Sequence, residues 1–118
     1  MRAALVLAVM LGSSVVWADA PDGAALFAKR CAGCHGEDAK AQTKAGKKHH
    51  IADFTKPSWA KEWSADKIAE TVSDGVKGKM PAFKEKLSAE EIQAVSARVL
   101  ELAKGGSKDS GKATTPTP

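Results

Sequence analysis

The chain of 118 residues has no tyrosine at all, and aromatic residues make up only 5% of it. It is short enough for one domain only, and with so few rings that domain has little bulk of its own for a core. Two cysteines are the whole complement, so no multi-bridge framework is there to staple the fold. Past the first eleven residues no apolar run approaches the length of a membrane span. No stretch alternates apolar and polar residues in the manner of a half-buried strand, which leaves an all-α class. Neither sign of charge dominates: 18 Lys and Arg face 14 Asp and Glu, for a net +4. Acidic residues are interspersed throughout, which excludes a nucleic-acid footprint.

Against these absences stands one dense motif, Cys31-Ala32-Gly33-Cys34-His35. Two cysteines two residues apart with a histidine directly after the second form the attachment pattern for c-type haem. The two thiols add across the two vinyl groups on one edge of the macrocycle, and the histidine becomes the proximal iron ligand. The small Ala32-Gly33 linker lets the backbone run close to the porphyrin rim. Other uses of a C-x-x-C pair fit less well. Zinc would need nitrogen ligands from His49 and His50, which are adjacent rather than three to five residues apart. A redox dithiol would sit in a βαβ pattern that is missing, and a plain disulfide leaves His35 unexplained. One covalent haem c per chain would also supply the aromatic body that the composition lacks.

Residues 1–18 read as a cleaved signal peptide. Met1-Arg2 is a positive start, Ala3 to Leu11 an apolar stretch, and Val16-Trp17-Ala18 a small-residue cleavage site. The stretch is short for a retained anchor, the alternative reading. The mature protein is expected in a bacterial periplasm, with its net charge near +3 once Arg2 is removed. Residues 19–104 form the expected domain. Residues 105–118, all Gly, Ser, Thr, Lys, Pro and similar, lack the apolar content to offset their ordering entropy and read as a disordered tail.

Within the domain, Asp22 to Ala32 is expected to be a helix capped by Asp22, ending in the cysteine motif. Gly36 to Lys56 shows no sustained period; its Lys44, Lys47, Lys48, His49 and His50 form a basic run, and Ile51, Phe54 and Trp59 are its inward anchors. A second helix runs from Ser64 to Asp74, with Ile68, Ala69 and Val72 on one face and Gly75 at its end. A loop from Gly75 to Lys86 follows. The last helix starts at Ser88, whose hydroxyl forms a capping box with Glu91, and Ile92, Val95, Val99 and Leu102 mark its core face to Ala103.

A haem iron with one histidine has a sixth position to fill. Met80 is the only methionine beyond the signal segment, in a loop that Pro81 stiffens. A lone methionine is ordinarily core filler, but a haem motif in the same small domain makes it a ligand candidate. Its thioether would raise the reduction potential relative to a second imidazole. His49 and His50 are rival ligands, and an open site is a third outcome.

Gly23, Phe27, C-A-G-C-H, G-K-M-P-A-F around Met80 and L-S-A-E-E-I together resemble a class I monohaem cytochrome c of the small bacterial type. The resemblance spans approximately Asp22 to Ala103. It implies three to five helices wrapped around the haem, with the first and last helices crossing. At that crossing Gly23 and Phe27 match the family's glycine and aromatic, and Val95 its aliphatic, while Arg98 replaces the usual aromatic. Trp59 and Trp63 resemble haem-pocket aromatics, and the His49-His50 doublet is not part of the family pattern. The function implied is single-electron transfer through a Cys31, Cys34, His35 and Met80 haem site. No enzymatic activity is implied. Such a carrier would be a soluble monomer serving protein donors and acceptors with acidic docking surfaces. A gas sensor or peroxidase-like protein with a labile sixth ligand is the alternative, and a metal-storage module built on C-x-x-C-H and the histidine doublet is another.

Overall fold

The computed structural model describes residues 12 and 20–105. The expected signal segment and tail lie outside these residues, apart from Gly12 and Gly105 themselves. Six helical segments follow one another: α1 (Gly23–Arg30), α2 (Ala32–His35), α3 (Lys44–Lys48), α4 (Pro57–Glu62), α5 (Ala65–Asp74) and α6 (Ala89–Ala103). There is no strand among the described residues, only one isolated bridge between Val76 and Met80. The class is all-α, as expected. The first expected helix divides at Cys31, yet Cys31 N–H still donates to Phe27 O at 2.9 Å and His35 N–H to Cys31 O at 2.9 Å. Cys31, at φ −117°, thus joins α1 to α2, and the described residues hold six helical segments.

The caps explain where the longer helices start. Asp22 Oδ1 accepts from Ala25 N–H at 3.1 Å, and Ser64 Oγ accepts from Lys67 N–H at 3.2 Å. At α6 the capping box is complete, with Glu91 N–H donating to Ser88 Oγ at 3.1 Å and Ser88 N–H to Glu91 Oε1 at 2.9 Å. Each such cap satisfies a donor that the helix end would otherwise orphan, for about 1 kcal/mol.

Two short helices arise where the sequence shows no period. Thr43 caps α3 by accepting from Gly46 N–H at 2.8 Å, and its hydroxyl donates to Cys34 O at 2.5 Å. One side chain thus starts α3 and ties it to the cysteine motif. Proline sits at the start of α4, where its missing N–H costs nothing.

The core lies between α1, α5 and α6. Phe27, Ile68, Val72, Phe83, Leu87, Ile92, Val95, Val99 and Leu102 are all buried there. The strongest packing is the crossing of α1 on α6, where a methyl group on Gly23 would collide with the Ala94 carbonyl oxygen. Arg98 belongs to this crossing too. It is only 5% exposed, and its Nη1 lies 3.1 Å from Glu101 Oε1, so the guanidinium turns along α6 toward its outer side. The long stem supplies the bulk that an aromatic would otherwise give.

Gly23→Ala should therefore force the two helices apart. Overpacking of this kind costs ~1–3 kcal/mol, and in a domain this size each kcal/mol lowers Tm by roughly 4–8 °C. Thermal unfolding of the haem-loaded protein measures it; an unchanged Tm would mean that the crossing is looser than the backbone approach indicates.

Candidate haem site

Helices α1, α2, α4, α5 and α6, the loop after α3 and the Met80 loop enclose a predominantly apolar cleft of about 320 Å³. That is at the lower end of the range for small-molecule sites. Cys31, Cys34, His35 and Met80 all line it, although Met80 follows His35 by 45 positions in the sequence. Phe27, Phe54, Trp59, Trp63, Ile68, Val72, Phe83, Val95 and Val99 supply aromatic and aliphatic wall.

The cysteines are both free, Cys31 buried and Cys34 exposed. Burial, with a smaller contribution from Cys34, pushes the Cys31 thiol up to about 11, so it remains protonated at neutral pH. Burial also lowers the His35 pKa. The shift favours the neutral imidazole, the form that ligates metal. Its Nδ1 is shut off from solvent and has no hydrogen-bond partner. The ring rests on Phe54, centroids 4.9 Å apart, and Phe54 in turn stacks on Trp59 at 4.2 Å.

Met80 is half-buried at the end of a tight turn. Met80 N–H donates to Val76 O at 2.8 Å, and Val76 N–H to Met80 O at 2.9 Å. Beyond it, Phe83 N–H donates to Val72 O at 2.9 Å, pinning the loop to α5. Gly75 makes this possible: its φ is +69°, and a Cβ there would fall 2.6 Å from Met80 O. His49 and His50 line the same cleft. His49 closes α3, and His50 is exposed, with a left-handed φ of +53°. Among the described residues no three His, Cys, Asp or Glu side chains gather into a metal-holding cluster.

The model for the family "Cytochrome C oxidase, cbb3-type, subunit III" matches residues 18–97. Cytochrome c6 of Aphanizomenon flos-aquae is 41% identical over 93 residues, 77% of this chain and 99% of that protein. The chain belongs to the class I c-type cytochromes. The solved structure of the KustC0563 c-type cytochrome aligns with a TM-score of 0.67 at 32% identity, covering 70% of this chain and 99% of that one. The cbb3-type oxidase subunit FixP of Bradyrhizobium sp. (strain ORS 278) is 32% identical over 74% of this chain, but the chain spans only 29% of that subunit's length.

As a member of this family, the cytochrome carries covalently bound haem c. The residues present fit that group: two free thiols on one helical turn, a half-buried imidazole with an orphaned nitrogen, and an apolar cleft between them and Met80. Phe54 and Thr43 are the site residues that the sequence did not reveal. Phe54 reads there only as an inward anchor, because its contact with His35 spans 19 positions; Thr43 in a lysine-rich segment looks like any solvated threonine.

Proposed function

We propose that the cytochrome is a soluble periplasmic electron carrier whose haem is held by thioethers from Cys31 and Cys34 and ligated by His35 and Met80. The supporting observation is the single cleft into which all four side chains converge. Bound haem c supplies a one-electron ferric/ferrous couple. His35 and Met80 would hold the iron, and the apolar side chains of the cleft would shield the haem from solvent. Met80 is favoured over the histidine doublet because its backbone is pinned on both sides, whereas His50 sits exposed. No helix among the described residues is long and apolar enough to cross a membrane, in keeping with a carrier released by signal cleavage. The ferric protein should show the sulfur–iron charge-transfer band, and the ferrous protein should exclude carbon monoxide. Ready carbon monoxide binding without that band would instead favour the sensor or peroxidase reading.

Its partners, on this reading, present acidic docking surfaces. Lys77, Lys79, Lys84 and Lys86 are exposed around the Met80 loop, Lys79 on the cleft wall itself, and Lys44, Lys47 and Lys48 are exposed on α3. Such lysines raise encounter rates without a large interface. Screening shortens to ~8 Å near 0.15 M salt, so the second-order electron-transfer rate should fall steeply with ionic strength. Lys79→Glu and Lys84→Glu should slow it, and Lys108→Glu, outside the described residues, should do little. A rate indifferent to salt would leave these lysines as solvated surface.

A further inference from the structure

The His49–His50 doublet lines the cleft without serving either the cysteine attachment or the proposed axial pair. Its backbone is built into place. His49 N–H donates to Ala45 O at 2.9 Å, and Ile51 N–H to Gly46 O at 2.9 Å. Gly46 in turn packs so closely on Ala41 that a methyl group there would collide with its carbonyl oxygen. His50, between these bonds, has a φ of +53°, a left-handed conformation in which histidine is enriched over most side chains. His49 is half-buried and His50 exposed, so solvent protons reach both.

The charge around the doublet has one sign. The charged side chains on the cleft wall are Arg30 of α1 and Lys79 of the Met80 loop; no Asp or Glu is among the described residues that line it. The cysteine motif brings Cys31, Cys34 and His35, and α4, α5 and α6 present no ionisable side chain to the wall. On the doublet's own segment Lys47 and Lys48 are exposed, and Asp53 is taken up by Thr55, whose N–H and hydroxyl donate to it at 2.8 and 2.6 Å. Haem c brings two carboxylates of its own, on the side of the macrocycle away from the thioether bonds. A charge taken into an apolar site needs a partner, and this wall offers only cations. Arg30 is next to Cys31 and Lys79 next to Met80, which leaves the doublet as the basic pair tied to neither.

We propose that His49 and His50 stand at the carboxylate side of the bound haem and make its reduction potential depend on pH. The proposal rests on the reading of the cleft as a haem site ligated by His35 and Met80. Reduction adds one electron, from the protein donor, to the iron. The added negative charge draws a proton from solvent onto an imidazole of the doublet, because histidine changes charge between pH 5 and 8. Arginine and lysine ordinarily do not, and the only other histidine of the chain is His35. Coupling is reciprocal: the proton binds more tightly with the electron present, so the electron binds more tightly with the proton present. The potential therefore falls as pH rises and the doublet loses its charge. Half-buried His49 carries the larger share, because solvent screens the exposed His50 more.

The test uses the haem-loaded protein and its His49→Gln, His50→Asn and doubly substituted variants; asparagine also tolerates a positive φ. In voltammetry from pH 5 to 8 the potential of the unmodified protein should fall with pH. His49→Gln should lose most of that fall, and the double variant should be nearly level. A level profile in the unmodified protein, or a fall that persists in the double variant, overturns the proposal. The sulfur–iron band of the ferric form is recorded alongside. Its absence from the unmodified protein, or its loss in the double variant, overturns the Met80 assignment and the proposal with it; a level potential with the band intact overturns the proposal alone. Should the double variant fail to accumulate, the unmodified protein still decides. The Cε1 proton resonances of its two free imidazoles should titrate at higher pH in the ferrous form than in the ferric form, and coincident titrations would overturn the proposal.

Discussion

Replacing Cys31 and Cys34 together with alanine should give an exported chain that carries no haem mass after denaturation and accumulates poorly. Either single substitution should leave at most one thioether. The expectation follows from the cleft. Left empty as an enclosed cavity, about 320 Å³ would cost up to ~8 kcal/mol at ~24 cal/mol per Å³. That rivals the 5–15 kcal/mol that holds a whole domain together. The cleft is open on one side and would collapse in part, so the real cost is lower but still a large share. Covalent haem therefore acts as core as well as cofactor, and losing its attachment should cost folding as well as redox activity. Mass spectrometry of the denatured chain and thermal unfolding of whatever accumulates check both halves. A double variant that is stable, well folded and free of haem would show that the apolar cleft supports itself.

Met80→Ala should abolish the sulfur–iron band and open the iron to cyanide or imidazole. Met80→His should keep six-coordination yet lower the potential by a sizeable part of the ~0.8 V that axial ligation spans, because a second imidazole favours ferric iron more than a thioether does. His49→Ala and His50→Ala should leave the axial spectrum unchanged. The opposite pattern, with the histidine variants disturbing the spectrum and Met80→Ala leaving it intact, would move the ligand to the doublet. Gly75→Ala offers an independent check that never touches sulfur. Alanine would sit at φ +69° with its Cβ 2.6 Å from Met80 O, and a left-handed backbone alone costs on the order of 1–3 kcal/mol. The turn should shift, and the sulfur band should weaken in proportion to the Met80 that is displaced.

Much of the fold was legible because it is local. The caps at Asp22, Ser64 and Ser88 act within three residues, and the apolar spacing of Ile92, Val95, Val99 and Leu102 repeats within one helix. Helices α3 and α4 were not legible. Five and six residues are too few to show a period, and segments so short do not repay their own nucleation. They exist because Thr43 reaches back to Cys34 and because Trp59 stacks on Phe54, contacts that no local window contains.

The site divides along the same line. Five consecutive residues declare covalent haem, because thioether chemistry demands a fixed spacing along one turn of chain. By itself the sequence also determined the starts of α1, α5 and α6, the apolar face of α6 and the candidacy of Met80, all carried by chemistry within a few residues. Only the tertiary structure decided that Met80 shares a cleft with His35, that the histidine doublet borders the same cleft, that Arg98 is buried at the helix crossing, and that Phe54 is the neighbour of the His35 ring. Each of these depends on which side chains meet after the chain has closed on itself. That outcome is set by the sum of many weak packing contacts between distant segments rather than by any one motif.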